Sequence, residues 1–115
     1  FVLIGTEVPG AVFNLASMSG IPRVDGVTWG AEDLSSALGA KAKRDSEGNY
    51  LEVFSFVRST CLLAAVAGGA QPIDAVYVDI KNSKESIRLS KIWVNYKYNN
   101  CKYFPNVFYK IKKYL

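Results

Sequence analysis

Histidine is absent from the 115 residues, and cysteine occurs only twice, as Cys61 and Cys101, forty positions apart. Those two shortages exclude a zinc-ligand spacing and a cysteine–histidine pair. The thiols are expected to be reduced and structural, in the cytoplasm or an organellar matrix. No apolar run approaches the roughly 18 residues of a membrane span, so no membrane partner is expected. "FVLIG" is too short for a signal-peptide core and lacks a basic leader. The single methionine is Met18, and the chain is read as beginning inside a larger reading frame. No internal repeat is visible. Acidic side chains are scarce in one region only. Residues 81–115 hold nine basic side chains against Glu85 alone, a net of +8, whereas residues 1–80 hold five against nine, a net of −4. The overall charge of +4 therefore belongs to the end of the chain and does not mark the whole domain as a nucleic-acid surface.

What is present is enough for one domain with a real core. "FVLIGT" has the length and composition of a strand buried on both faces, stopped by "EVPG". "GAVFNLASM" after Pro9 reads as a brief helix closed by Gly20 and Pro22, and "RVDGVTWG" as a second strand ending at Gly30. Asp33 to Leu38 fits a short helix with acidic residues in its first turn and Gly39 just past its end. "AKAKRDSEGN" is a polar loop. From Leu51 to Ala67 the apolar residues Phe54, Val57, Cys61, Leu62 and Ala65 recur at helical spacing until Gly68-Gly69. "IDAVYVDI" then reads as a third strand, with Val76 and Val78 on one face and Ala75 and Tyr77 on the other. Apolar strands alternating with helices argue an α/β fold, a parallel sheet with helical crossovers.

Glu7 closes the first strand and Asp33 follows the second, 26 positions later. In a right-handed crossover unit the two strands are neighbours about 4.8 Å apart, so these side chains can converge at their carboxyl ends. Two carboxylates around a hydrated hard cation suit magnesium, and without a cation they would repel. The alternative is equally plain: Glu7 is a solvated loop carboxylate and Asp33 caps a helix. Elsewhere, Arg58 reads as an outward or helix-bridging side chain, and Asp79 as a turn carboxylate. Asp74 opens the third strand, at the end opposite the candidate site, and Cys61 belongs to the core.

The stretches "IGTEVPGAVFNLASM", "PRVDGVTWGAEDLSSALGA" and "RSTCLLAAVAGGAQPIDAVYVDI" resemble the second half of the citrate lyase β-subunit-like family, which includes malyl-CoA lyases and is related to the 2-oxo-diacid aldolases. The likeness covers residues 1–88, a partial barrel domain; residues 89–115 form a basic, aromatic-rich tail. The resemblance implies part of a (β/α)₈ TIM barrel, about three of its strands, with the active site at their carboxyl ends. It implies Mg2+ held by Glu7 and Asp33, and substrate binding by the helix start at Ala31 and Glu32. The implied activity is carbon–carbon lysis of a 3-hydroxy acyl thioester, of citryl- or malyl-CoA type, giving a 2-oxo acid and an acetyl thioester. An acyl-CoA or acyl-carrier thioester is the implied partner, in a homo-oligomer, and truncation is expected to impair turnover. Val8 stands where the family usually has a hydroxyl residue, and Ala37 where it often has an acidic one. No catalytic acid or base is assigned. A non-catalytic remnant or interaction fragment is an alternative. So is single-strand binding by Lys97, Lys102 and Lys110 interleaved with Tyr96, Tyr98 and Tyr103. Translation of a non-native AT-rich frame explains the tail's bias better, so nucleic acid is not the expected partner.

Overall fold

The computed structural model describes residues 1–75, which form three short parallel strands joined by helices. Strands β1 (Val2–Ile4), β2 (Gly26–Thr28) and β3 (Gln71–Ile73) lie side by side in chain order. Helices α1 (Pro9–Val12) and α2 (Leu15–Ser19) cross from β1 to β2, and α3 (Ala31–Leu38) and α4 (Glu52–Gly68) from β2 to β3. Parallel neighbours need such crossovers, because a tight turn returns the chain antiparallel. The expected α/β class is the one that forms.

Leu3, Val27 and Pro72 are in register across the sheet. Val27 is fully buried, and Leu3 packs against a core built from Val12, Leu15, Trp29, Leu34, Phe54, Val57, Cys61 and Ala65. Helix α4 supplies the largest share of it from one apolar stripe, the pattern its spacing predicts. Helices α2 and α4 meet at a glycine: a Cβ on Gly68 would fall 2.5 Å from the Cβ of Ser19, so no side chain fits at that crossing.

Several boundaries differ from expectation. β1 is not buried on both faces; Val2 and Ile4 are 61% and 50% exposed, because the helices cover only the side that Leu3 faces. The brief helix after Pro9 is two separate turns. Asn14 leaves helical geometry at ψ 2°, and its side-chain amide donates to the Gly10 carbonyl at 3.0 Å, a local alternative to continuing the helix. Helix α3 starts at Ala31, two residues before the expected Asp33, because Gly30 is its N-cap. It ends as expected, with Gly39 in the left-handed region at φ 63°.

The third strand forms earlier than its apolar run suggested, over Gln71–Ile73. Pro72 is tolerated there because the Gln71 N–H donates to the Asp25 carbonyl at 2.9 Å. Successive residues of a strand point their backbone groups oppositely, so the donor that proline lacks would have faced away from β2. The expected positions of Val76, Tyr77, Val78 and Asp79, with Cys101 and the tail, lie outside the described residues. Among the described residues no helix is long and apolar enough to cross a membrane.

Candidate metal and substrate site

All three strands deliver chemistry-bearing residues to their carboxyl ends. β1 runs into Gly5-Thr6-Glu7, β2 into Trp29-Gly30, and β3 into Asp74. Pairing continues just past the strands: the Gly5 N–H donates to the Thr28 carbonyl at 3.0 Å, and the Gly30 N–H to Thr6 Oγ1 at 2.9 Å. Thr6 is fully buried. The turns leaving β1 and β2 are therefore joined beside Glu7 and three residues before Asp33.

Both acidic side chains lie against Gly30. A Cβ placed there would lie 3.7 Å from Glu7 Cγ and 3.8 Å from Asp33 Oδ2. The two acidic side chains thus reach within 4 Å of one point, although 26 positions separate them in the chain. Both are exposed, and no side-chain capping bond is made at the start of α3, so Asp33 is not the cap of its helix. Among the described residues no group of three or more His, Cys, Asp or Glu converges. Two carboxylates open to solvent fit a hard cation that keeps several of its waters, as magnesium does. They do not fit a closed tetrahedral site.

Ala31 and Glu32 open α3 beside this pair. Their N–H groups, like those of any first turn, have no intrahelical acceptor. The Glu32 carboxylate turns instead to Lys43, with which it forms an ion pair. The Glu32 carboxylate therefore does not join Glu7 and Asp33 as a third acidic group.

A second cluster departs from the sequence reading. Asp74 was expected at the amino end of the third strand; because β3 begins two residues after Gly69, Asp74 follows its carboxyl end, on the same side as Glu7 and Asp33. Its Oδ1 accepts from Trp29 Nε1 at 2.8 Å, Arg58 Nε at 3.1 Å and its neighbour Ala75 N–H at 2.9 Å. Arg58 Nη2 donates to Oδ2. Arg58 is not the outward or bridging side chain expected of it: only 8% exposed, it runs from α4 into this cluster. A signal was available, since Arg58 falls on the stripe of Phe54, Cys61 and Leu62, and a charge in that position demands a counter-charge.

Tyr50 extends the cluster, edge-on to Trp29 at 5.0 Å and with the Arg44 guanidinium 3.6 Å over its ring. Burial raises its hydroxyl above the ordinary tyrosine value, against the opposing pull of Arg44. Cys61 is the buried core thiol expected, pushed up to about 12 by burial and then by the charge of Asp74. An apolar groove of about 360 Å³ between Phe13, Phe56 and Leu63 lies on the helical side and contains none of these groups. Ligand sites of parallel α/β sheets lie at the strands' carboxyl ends, and the carboxylates mark that end here.

Known proteins share this fold over part of their length. A curated citrate lyase subunit beta-like protein of Mycobacterium tuberculosis is 46% identical over 71 residues, 62% of this chain and 26% of that protein. A structure of the citrate lyase beta subunit from M. tuberculosis, complexed with oxaloacetate and magnesium, matches with a TM-score of 0.70 and 36% identity. It covers 73% of this chain and 38% of that one. Protein CitE of M. tuberculosis, in complex with magnesium, acetoacetate and coenzyme A, matches with a TM-score of 0.69 and 35% identity, over 72% and 31% of the two chains. The chain spans about a quarter of the length of its curated relative. With the family's model matched across residues 1–100, this chain belongs to the HpcH/HpaI aldolase/citrate lyase family.

Proposed function

We propose that this chain carries the magnesium-binding part of a carbon–carbon lyase site. The substrate is a 3-hydroxy acyl thioester of citryl- or malyl-CoA type, and the products are a 2-oxo acid and an acetyl thioester. The carrying observation is the approach of the Glu7 and Asp33 side chains to one point at Gly30. The magnesium, oxaloacetate and coenzyme A found in the related M. tuberculosis structures support the choice of cation and substrate class.

In this reading Glu7 and Asp33 hold the cation. When bound, magnesium supplies Lewis-acid stabilisation of negative charge on the substrate's hydroxyl oxygen. The N–H groups of Ala31 and Glu32, at the positive end of α3, receive a substrate carboxylate. Lys43 offsets the Glu32 charge, which would otherwise repel that anion. The bond between the hydroxyl-bearing carbon and the carbon next to the thioester breaks. The hydroxyl loses its proton and becomes the oxo group, and the electron pair ends, protonated, on the acetyl thioester.

Calorimetric titration with MgCl2 tests the reading, together with 2-oxo acid release from malyl- and citryl-CoA. Wild type binds magnesium, and Glu7→Gln and Asp33→Asn each abolish binding and turnover. Unchanged magnesium affinity in both folded variants overturns it.

A second reading, an interaction fragment that works only within a larger assembly, is favoured by the uncovered apolar face of Val2 and Ile4. Light scattering during size-exclusion chromatography separates the two: a monodisperse monomer with turnover rules the second out.

A further inference from the structure

The turn Trp29-Gly30 is held from both sides. On the β1 side, the buried Thr6 hydroxyl accepts the Gly30 N–H at 2.9 Å. On the β3 side, Asp74 accepts the Trp29 indole N–H at 2.8 Å and is itself fixed by Arg58. Thr6 directly precedes Glu7, and Gly30 is the N-cap of the helix that carries Asp33. Each bond therefore acts on a backbone segment that ends in one of the two carboxylates. We infer that Thr6 and Trp29 are positioning residues for the Glu7–Asp33 pair, Thr6 fixing the separation of the two turns and Trp29 anchoring the second turn to Asp74. This rests on the magnesium reading of that pair.

The physical case is one of preorganisation. Two exposed carboxylates repel, and left to themselves they would separate. A cation that takes both must hold them together, and its affinity falls by whatever ordering is not already in place. A buried hydroxyl that accepts a backbone N–H also satisfies a donor that would otherwise be unpaired at the helix start. Groups that orient metal ligands are typically worth 10- to 100-fold in affinity.

The test is calorimetric titration of the 115-residue chain with MgCl2, in wild type and in Thr6→Val, Thr6→Ser and Trp29→Phe, with folding checked by far-ultraviolet circular dichroism. Thr6→Val keeps shape and loses the acceptor; Thr6→Ser keeps the acceptor. Trp29→Phe loses the indole donor and leaves the Arg58–Asp74 pair intact. The expected result is a magnesium dissociation constant raised about 10-fold in Thr6→Val and in Trp29→Phe, and within about 2-fold of wild type in Thr6→Ser. A role confined to stability would lower the folded fraction or the melting temperature without changing affinity per folded molecule. Wild-type affinity in folded Thr6→Val and Trp29→Phe overturns the inference while leaving the magnesium reading in place. If Thr6→Val does not fold, Trp29→Phe decides. Absence of magnesium binding in wild type overturns both.

Discussion

Arg58 and Asp74 meet at two points, Nε to Oδ1 at 3.1 Å and Nη2 to Oδ2, across the gap between α4 and the carboxyl end of β3. The pair is the most enclosed of the ion pairs among the described residues, with side chains 10% and 26% exposed. Two-point pairing of this kind fixes orientation as well as distance.

Removing one partner leaves the other charged and poorly solvated. Arg58→Ala is expected to lower unfolding stability by about 3 kcal/mol, measured by urea denaturation. Arg58→Lys, which cannot reproduce the planar fork, should recover only part of the loss.

The two glycines at the ends of helical segments should respond differently to alanine. Gly68→Ala puts a methyl group 2.5 Å from Ser19 backbone and side chain, where neither can yield, and is expected to cost about 1–3 kcal/mol by overpacking. Gly39→Ala meets open space and should cost only about 1 kcal/mol, from the left-handed backbone at φ 63°. Thermal denaturation of both variants checks the order.

The neighbouring acids Glu32 and Asp33 should separate cleanly. Glu32→Gln loses an exposed pair with Lys43, worth at most about 1 kcal/mol, and should keep magnesium binding. Asp33→Asn should lose it. Equal effects of the two substitutions on calorimetric magnesium binding would contradict the separate placements of their side chains.

Cys61 should resist alkylation by iodoacetamide at pH 8 in native protein and react on unfolding, followed by mass spectrometry in a Cys101→Ser background. Its native value near 12 stands above the ordinary 9.0, so the native state retains a proton that the unfolded state gives up. The contribution of this group is therefore full below about pH 9 and is lost as pH rises from there toward 12.

The parts legible in the sequence are those set by periodicity and by glycine. Helix α4 lies within one residue of its predicted ends, because its apolar stripe and Gly68-Gly69 are both local signals. Strand order makes it possible for Glu7 and Asp33 to meet, and the family resemblance is what favours that reading over a helix-capping Asp33. What escaped depended on register. A long apolar run from Ile73 drew the third strand forward, whereas Pro72 sits within it at no cost to the bond with β2. That shift of two residues is what separates the sequence reading of Asp74 from its observed place beside Arg58. The cluster that supports the candidate site was hidden by a boundary and not by an unusual residue.

Gly30 adopts φ −110° and ψ 102°, a backbone any residue accepts, so its lack of a side chain serves space and not conformation. An alanine there would make ordinary contacts with Ile4, Glu7 and Asp33, the nearest at 3.4 Å. The protein would fold around it. One added methyl group would then lie against both acidic side chains at once, so Gly30→Ala reads on the freedom of that pair and not on the fold.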